Sequence, residues 1–519
     1  MKGLKYPIGI QTFAKIREEN YLYVDKTDLV ANLVGNGGYY FLTRPRRFGK
    51  SLLMSTIEAF YRGKKDLFKG LAIENMDLDW TPRPVLHFDL SPQKYESNDS
   101  IARLLDEYLK HMEEEWGITE IAPDLTTRFM KIIRTAADKS SRKVVILIDE
   151  YDKPLLESMF DTSLQTAFRN ELSAFYSVLK VMDPFIEFAM LTGVTKFGAL
   201  SVFSGLNNLR DISLEARFAS ICGITERELY SHFSQSIREL ASLHHVSDDT
   251  IAARLKENYD GYHFSAISPD IYNPFSLLNA FASGNIGTYW FSTAGTPYFL
   301  ARLLLKNEFN LNDFSSVEAS AETLGGIDKA FENPIGFFYQ SGYLTIKKYD
   351  AEEELFTLGY PNREVEKSFL SYLLPRYAKI DSNESAFAIS RMRKDLMSGD
   401  AESFMIRIQS LFAGLSYENI TLDNLELHYH NVMYLVCTLL GFTTHTEYRT
   451  AVGRIDLLVE VPEYVYIMEF KINSTPVAAL NQIIERGYAT KFKSDNRHVI
   501  MIGANFSTSK RTLDNWLIK

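Results

Sequence analysis

Cysteine is nearly absent from this sequence, since the chain of 519 residues contains only Cys222 and Cys437. Both lie in apolar surroundings, and they fit neither a metal-ligand spacing nor a disulfide framework. Long apolar runs are missing too, because the longest, residues 432–442, is too short to span a bilayer. The N-terminus lacks the continuous apolar core of a signal peptide. We therefore expect a protein of a reducing compartment, the cytoplasm, with no membrane partner.

No internal repeat or low-complexity tract stands out, and 46% hydrophobic with 24% charged residues is ordinary for a folded globular protein. The chain is too long for one core, so about three or four domains are expected. A net charge of −10 argues against a surface that is basic all round but permits a local basic groove. Charge thus neither indicates nor excludes a nucleic-acid partner. A homo-oligomer is left open.

The chain is organised around residues 39–51, YYFLTRPRRFGKS. An apolar run predicts a buried strand, the loop after it carries Gly49, Lys50 and Ser51, and a helical pattern follows. This order is typical of a P-loop, although G-K-S alone also fits a structural loop. In a P-loop, backbone N–H groups bind phosphate oxygens, the lysine reaches the outer phosphates and the serine hydroxyl binds Mg²⁺. Arg44 stands where the string G-x-x-x-x-G-K-[ST] has its first glycine.

A second motif is KVVILIDEYD at residues 143–152, whose apolar run predicts a central parallel strand ending on Asp149 and Glu150. Open α/β sheets bind ligands at this edge. We assign Asp149 to the Mg²⁺ shell and Glu150 to activation of the water that attacks the γ-phosphate of ATP. The alternative is a solvated strand end. Thr192, which ends a third predicted strand, either senses the γ-phosphate or closes the strand by local hydrogen bonding.

The stretches YVDKT, FLTRPRRFGKS, LIDEYDKP and LTGVTKFG resemble the bacterial AAA-ATPase-like family that is commonly fused to a C-terminal nuclease-like domain. The resemblance covers nearly the whole chain. It implies an ATPase core of the P-loop class, with ATP and Mg²⁺ as cofactors, in which arginine is normal at the position of Arg44. The predicted nucleotide-binding residues are Arg44, Arg47, Phe48, Gly49, Lys50, Ser51, Asp149 and Thr192.

The C-terminal region carries a second charged cluster, with Asp456 in GRIDLLVE and Glu469 and Lys471 in YIMEFKI. Two strands joined by a tight turn bring Asp456 and Glu469 to one end of a hairpin, and Glu469 and Lys471 leave the same strand face. Two such carboxylates can hold Mg²⁺ or Mn²⁺ against a phosphodiester, while the lysine orients or deprotonates the attacking water. The alternative is an exposed charged hairpin, in which a buried Glu469 without a metal or partner would be costly.

This cluster resembles the PD-(D/E)xK nuclease superfamily, with Ile455 in place of the proline of the name. The resemblance implies that Gln482 and Tyr488 support the site, because they fit the Q-x-x-x-x-x-Y positions of some members. Upstream, Glu447 belongs to the same cluster of charges and Glu426 can add a carboxylate. His430, one helical turn after Glu426, fits a core or surface histidine better than a site residue.

The predicted fold class is α/β, with five regions. They are a parallel-sheet P-loop ATPase core at 1–222, a helical lid at 223–300, a winged-helix-like module at 301–378, a helical linker at 379–415 and a restriction-endonuclease-like nuclease domain at 416–519. The winged-helix prediction depends on a helix around 327–331 followed by strands at 337–346 and 354–358. Such modules often bind DNA, but the acidic turn between the strands would repel phosphates, which favours a packing role.

The leading functional hypothesis is a cytoplasmic ATPase coupled to a metal-dependent nuclease, with ATP gating the access of nucleic acid, DNA above all, to the second site. The alternative is a nucleotide-switched interaction protein whose nuclease fold is a binding platform. Two complete sets of residues favour the enzyme: Lys50, Asp149 and Glu150, and Asp456, Glu469 and Lys471.

Overall fold

The computed structural model describes residues 5–197, 208–291, 297–307, 309–327, 330–413, 422–450, 453–492, 496–510 and 512–519. The chain divides into two compact units, one comprising Met1–Thr296 and Ser316–Glu364 and the other Pro297–Ser315 and Val365–Lys519. No helix within the described ranges has the length and apolar character needed to cross a membrane.

The helices of the described residues are α1 (Phe13–Glu18), α2 (Thr27–Val34), α3 (Lys50–Tyr61), α4 (Ser100–Glu115), α5 (Leu125–Ser140), α6 (Lys153–Glu157), α7 (Thr162–Val181), α8 (Glu226–His244), α9 (Asp248–Tyr259), α10 (Pro274–Ser283), α11 (Pro297–Asn307), α12 (Ala321–Leu324), α13 (Ile335–Gln340), α14 (Arg363–Ala378), α15 (Ser382–Met397), α16 (Ala401–Ala413), α17 (Leu422–Leu440) and α18 (Pro476–Glu485). The strands are β1 (Gly38–Thr43), β2 (Val85–Asp89), β3 (Val144–Asp149), β4 (Ile186–Gly193), β5 (Leu209–Asp211), β6 (Ile224–Thr225), β7 (Ile271–Tyr272), β8 (Val317–Ser320), β9 (Thr345–Asp350), β10 (Leu355–Gly359), β11 (Thr443–Thr450), β12 (Gly453–Glu460), β13 (Tyr464–Ile472), β14 (His498–Ser507) and β15 (Thr512–Ile518).

A five-stranded parallel sheet forms the core of the first unit, in the order β2-β3-β4-β1-β5. Strand β3 is buried at every residue, and β1 and β4 at nearly every one, as expected of parallel strands covered on both faces. The parallel sheet predicted from the apolar runs is confirmed. The carboxyl ends of β1, β3 and β4 lie next to one another, which brings the P-loop and the acidic motif to the same edge.

The region predicted as a helical lid contains α8, α9 and α10, with a two-stranded antiparallel sheet of β6 and β7. Helix α8 begins with a capping box in which Thr225 and Glu228 bond each other's backbone N–H groups. Its apolar face packs with α9 and α10 in a core that includes Phe233, Leu255 and Leu277.

The middle of the region predicted as a winged-helix-like module runs β8-α12-α13-β9-β10, with an antiparallel sheet in the order β8-β10-β9. Two details of its prediction were wrong. Residues 337–340 belong to α13 rather than to a strand, and the described part of 327–331 contains no helix. Asn333 accepts the N–H of Ile335 at 3.1 Å and Gly342, at φ +88°, follows the helix end. These are helix start and stop signals. The prediction missed them because a short apolar run without clear periodicity does not distinguish a helix from a strand.

The second unit contains a five-stranded sheet in the order β11-β12-β13-β14-β15. Only β13 and β14 are parallel among its described neighbours. The predicted hairpin is formed by β12 and β13, and α18 packs against β13 and β14. Ile455, Leu458, Ile467 and Ile483 lie in the core between the sheet and this helix.

Candidate functional sites

The P-loop lies between the end of β1 and the start of α3. Gly49 precedes the helix at φ 98°, and Arg47 also has a positive φ, of 66°. A Cβ at Gly49 would meet no atom within 4 Å, so the backbone conformation rather than space calls for glycine there. The backbone thus presents the N-terminus of a twelve-residue helix to the loop, an arrangement suited to phosphate oxygens.

Lys50 is buried, and its ammonium bonds to backbone carbonyls of the same loop. Nζ donates to the carbonyl oxygens of Arg44 at 2.9 Å and Pro45 at 3.2 Å. Ser51 follows it and is half-buried. Both residues line a cavity that is described below. A phosphate in the loop would offer Lys50 charged acceptors in place of two neutral carbonyls, which makes a stronger hydrogen bond.

Arg44 is turned into the protein. Its guanidinium donates to the carbonyls of Thr43 and Ser213, both at 2.8 Å, and of Phe218 at 3.1 Å, and it lies 4.1 Å from the centre of the Phe264 ring. Burial lowers the pKa of Arg44. Its φ is not positive, so the usual glycine is not needed at this position. Arg44 reaches the site through its carbonyl oxygen, the acceptor for Lys50.

Two neighbouring residues of the loop are fixed by aromatic rings. Phe48 is buried edge-on against Tyr262 and Phe264, with ring centres 4.8 and 5.4 Å away. The exposed Arg47 lies 5.0 Å from the centre of the Phe275 ring, at the start of α10. Arg47 faces the cavity, so it can contact a nucleotide, whereas the Phe48 side chain anchors the loop.

The acidic motif stands at the end of β3. Asp149 is buried, and its Oδ1 accepts the hydroxyl of Thr192 and the N–H of Glu150, the latter at 2.9 Å. Glu150 has a positive φ of 49° and lines the cavity. Burial raises the pKa of Glu150, and Lys50 opposes this rise. The Thr192 hydroxyl thus bonds Asp149 on the neighbouring strand β3, 43 positions away, so this bond is not the local one of the alternative.

The P-loop, Glu150, the N-terminal segment and the helices after β6 line one cavity of about 370 Å³. This volume is within the range of small-molecule sites. Its lining includes apolar side chains, such as Ile10, Val24 and Phe233, and the cationic side chains of Lys50 and Arg47.

Sequence reasoning missed two buried charges at this site. Lys26 lines the cavity and lies 2.6 Å from both carboxylate oxygens of Glu228. Asp152 accepts the N–H of Thr195 at 2.6 Å and its hydroxyl at 2.7 Å. Both belong to stretches used for the family resemblance, but no local pattern distinguishes them from ordinary charges.

The second candidate site is at the shared end of β12 and β13. The pairing of Leu457 with Met468 sets Asp456 beside Glu469, and Asp456 Oδ2 accepts the N–H of Phe470 at 2.8 Å. Glu469 is 1% exposed. Its Oε1 lies 3.1 Å from Lys471 Nζ and accepts Gln482 Nε2. The structure thus brings the four predicted residues together.

The two carboxyls of this site sit in an unfavourable electrostatic environment. Burial raises the pKa of Glu469 to about 7, and the charge of Asp456 adds to the rise while Lys471 opposes it. Burial also raises the pKa of Asp456, against the nearby Lys471, His430 and Arg454. A divalent cation between the two carboxyls would favour the charged form of both.

Glu469 Oε2 is buried and has no hydrogen-bond partner. A bound metal ion would supply the missing partner. Asp456 and Glu469 therefore fit Mg²⁺ or Mn²⁺, which prefer carboxylate oxygen. No cluster of three potential ligands occurs among the side chains that the structure describes.

The supporting candidates differ in their placement. Gln482 reaches Glu469 because α18 packs closely on β14, where a Cβ at Gly503 would lie 2.5 Å from Pro476 O. Tyr488 donates to the carbonyl of Arg454 at 2.8 Å rather than to a carboxylate. The side chains of Glu426 in α17 and Glu447 in β11 lie outside the described residues. His430, which we disfavoured, is exposed but close enough to influence Asp456.

Comparison with known proteins agrees with these two sites. Residues 7–203 match the family model described as predicted AAA-ATPase, and residues 424–516 match that of the PD-(D/E)XK nuclease superfamily. A protein of Azotobacter chroococcum mcd 1, described as an uncharacterized protein in the vnfD 5' region, is 35% identical over 529 residues, covering 100% of this chain and 99% of that protein. The chain belongs to this AAA-ATPase-like family.

The AAA-ATPase-like protein is also similar to a solved structure, the ORC2 protein of Aeropyrum pernix in ADPNP–ADP complexes. The identity is 12%, the coverage 69% of this chain and 98% of the other, and the TM-score 0.26, too low to indicate fold or function. The family matches and the two sheets confirm the predicted fold class and an architecture of ATPase plus nuclease-type domain.

Proposed function

We propose that the AAA-ATPase-like protein hydrolyses ATP with Mg²⁺ in the cavity at the P-loop and hydrolyses phosphodiester bonds of DNA at Asp456, Glu469 and Lys471 with Mg²⁺ or Mn²⁺. One observation carries the nuclease proposal: Glu469 is almost inaccessible, its Oε2 has no partner, and its Oε1 lies 3.1 Å from the Lys471 ammonium. A structural carboxylate would be fully paired in such a place.

At the P-loop, the backbone N–H groups at the start of α3 and the Lys50 ammonium bind the phosphates of ATP. Ser51 and Asp149 would hold the Mg²⁺, which neutralises charge on the phosphate oxygens. Glu150, on the cavity wall with a raised pKa, accepts a proton from the water that attacks the γ-phosphorus. The bond to the β–γ bridging oxygen breaks, so that ADP and inorganic phosphate leave.

At the second site, Asp456 and Glu469 would hold the divalent ion, which as a Lewis acid stabilises the negative charge that develops on the phosphodiester. Lys471 orients the attacking water and accepts the proton that this water loses. Gln482 keeps Glu469 in place by donating to Oε1. The water oxygen bonds to phosphorus, one ester bond breaks, and the departing oxygen takes up a proton.

The finer points remain our proposals: the five regions with borders at 222, 300, 378 and 415, a cytoplasmic location, DNA as the nucleic acid, and assembly as a homo-oligomer. The two cysteines support a reducing compartment, since both are free and buried. Sedimentation of the purified protein with and without ATP tests the assembly.

The deciding experiment incubates purified wild type with plasmid DNA, linear DNA and RNA, with Mg²⁺ or Mn²⁺, with and without ATP. Lys471→Ala should lower cleavage by about 10²–10⁴-fold, the range of a lost proton-transfer group, and Asp456→Asn should lower it by removing a metal ligand, both with ATP turnover nearly unchanged. Excess Mn²⁺ should partly rescue Asp456→Asn, which weakens metal binding, and not Lys471→Ala.

The ATPase arm of this experiment uses Glu150→Gln, which should bind ATP normally and hydrolyse it at least about 10²-fold more slowly. Lys50→Ala should lose nucleotide binding. Equal turnover by wild type and Glu150→Gln would refute the role of Glu150. If no nucleic acid is cut with any divalent ion, the nucleotide-switched interaction protein becomes the better description.

A further inference from the structure

The short segment that follows β4, Val194–Phe197, is held on one side by the turn after the acidic motif. We call it the clasp segment. Asp152 accepts the N–H of Val194 at 3.1 Å and that of Thr195 at 2.6 Å. The hydroxyl of Tyr151 donates to the Thr195 carbonyl at 2.9 Å and accepts the Phe197 N–H at 3.1 Å. These bonds tie the clasp segment to the two residues directly after Glu150.

Two further backbone groups of the clasp segment, both of Lys196, bond to the winged-helix-like module. The N–H of Lys196 donates to Gln340 Oε1 at 2.6 Å, and its carbonyl accepts the N–H of Ile327 at 3.1 Å. Gln340 is itself fixed, because its Nε2 donates to the Leu324 carbonyl at 2.6 Å. The clasp segment thus bonds to the acidic turn on one side and to this module on the other.

Helix α13, the second helix of the winged-helix-like module, is buried at all six of its residues. It therefore presents no side-chain row to solvent with which to read base edges. Its last residue, Gln340, instead reaches the ATPase core. Gln340 also lies outside residues 7–203, the part of the chain that matches the ATPase family model.

We infer that Gln340 is a positioning residue for ATP hydrolysis: through the clasp segment and Asp152 it fixes the turn that carries Glu150. This inference rests on the proposed ATPase. The described residues that line the nucleotide cavity include Glu150 but neither Asp152 nor Gln340. Gln340 therefore acts on the placement of the base, and its loss should change kcat rather than the KM for ATP.

The test compares Gln340→Leu with Gln340→Glu in the full-length protein. Leucine fills similar space but takes away the Gln340 acceptor of the Lys196 N–H, so kcat should fall about tenfold, with KM within about twofold. Glutamate keeps an acceptor for Lys196 but loses the donation to Leu324 and buries a carboxyl group, so its kcat should lie between those of Gln340→Leu and wild type.

Ser341→Ala is the matched control. Ser341 is equally buried in the next position and bonds the Phe337 carbonyl at 2.6 Å, within the same module. A loss of stability alone would lower activity alike in Ser341→Ala and Gln340→Leu. An unchanged kcat in Gln340→Leu, or equal losses in both variants at equal melting temperature, would overturn the inference.

Amide hydrogen exchange separates this inference from the proposed function. In Gln340→Leu, the amides of Tyr151 and Asp152 should exchange faster than in wild type and in Ser341→Ala. If wild type hydrolyses no ATP, the proposed function is wrong, but hydrogen exchange still tests whether Gln340 fixes the turn that carries Glu150. Faster exchange in Gln340→Leu supports this role of Gln340, and unchanged exchange overturns it.

Discussion

Asp260 is a buried carboxylic acid directly after α9, only 2% exposed. Burial raises its pKa to about 7, with Asp270 and Glu226 adding to the rise and Lys256 opposing it. In the unfolded chain the same group would titrate near its ordinary value of about 4. The folded state therefore holds this proton over a range of pH in which the unfolded state releases it.

Wild type should lose stability relative to Asp260→Asn as the pH rises from about 4 to about 7. Unfolding releases a proton in this pH range, so rising pH favours the unfolded state of wild type. Above pH 7 the loss in the free energy of unfolding of wild type, relative to Asp260→Asn, should stay constant at about 2–4 kcal/mol. Melting temperatures of both proteins between pH 4 and 8 measure it.

The exposed Glu353, in the turn between β9 and β10, supplies the control. Glu353→Gln should follow wild type across the whole pH range, since the substitution changes a side chain that lies in solvent. A parallel course of wild type and Asp260→Asn from pH 4 to 8 would contradict the assignment.

Among the elements, helix α18 depends on one close approach. Its first turn lies over Gly503 of β14, where a Cβ would stand 2.5 Å from Pro476 O and also meet the backbone of Leu480. Gly503→Val should push the helix away from the sheet, cost about 1–3 kcal/mol of stability and separate Gln482 from Glu469. DNA cleavage should fall at least about tenfold, because Gln482 then no longer orients Glu469.

Val477→Ala provides the comparison on the same helix, since Val477 is 52% exposed. It should leave cleavage and the urea midpoint of unfolding unchanged. If Gly503→Val cuts DNA as fast as Val477→Ala, then the packing of α18 does not position Glu469.

The elements also show what a sequence can predict. Strands β1, β3 and β4 were foreseen because a parallel strand buried on both faces is a continuous apolar run. Residues 337–339 are just as apolar but helical, and the helix start and stop signals at Asn333 and Gly342 lie outside this run. The hairpin with Asp456 and Glu469 was foreseen since its residues are close in sequence.

The contacts that could not be foreseen are long-range. Gln340 and Lys196 are 144 positions apart, and Lys26 and Glu228 are 202 apart. No local pattern marks such pairs. The buried orientation of the Arg44 side chain could not be predicted for the same reason, because its acceptors Ser213 and Phe218 come from a distant part of the chain.

For the whole molecule, the question is whether the two sites depend on each other. If ATP gates cleavage, wild type should cut DNA about tenfold faster with ATP than without, and Lys50→Ala should show the slow rate in both conditions; tenfold corresponds to about 1.4 kcal/mol of coupling. Initial rates on one linear substrate at fixed Mn²⁺ measure it.

Lys471→Ala is the reciprocal control, since its ATP turnover should remain at the wild-type rate. The gating hypothesis would be wrong if cleavage rates were identical for wild type without nucleotide, wild type with ATP and Lys50→Ala. Both active sites would survive that result, because each is built from its own residues.

The bond between Gln340 and the clasp segment also bears on how such chains can be recombined. A chimera that joins residues 1–203 of this protein to a foreign partner would lose the acceptor of the Lys196 N–H. A joint after Glu364 would keep that acceptor, although it would separate Pro297–Ser315 from the rest of the second compact unit. Shuffling among relatives should therefore keep the winged-helix-like module together with its own ATPase, because the module supplies the acceptor of the Lys196 N–H.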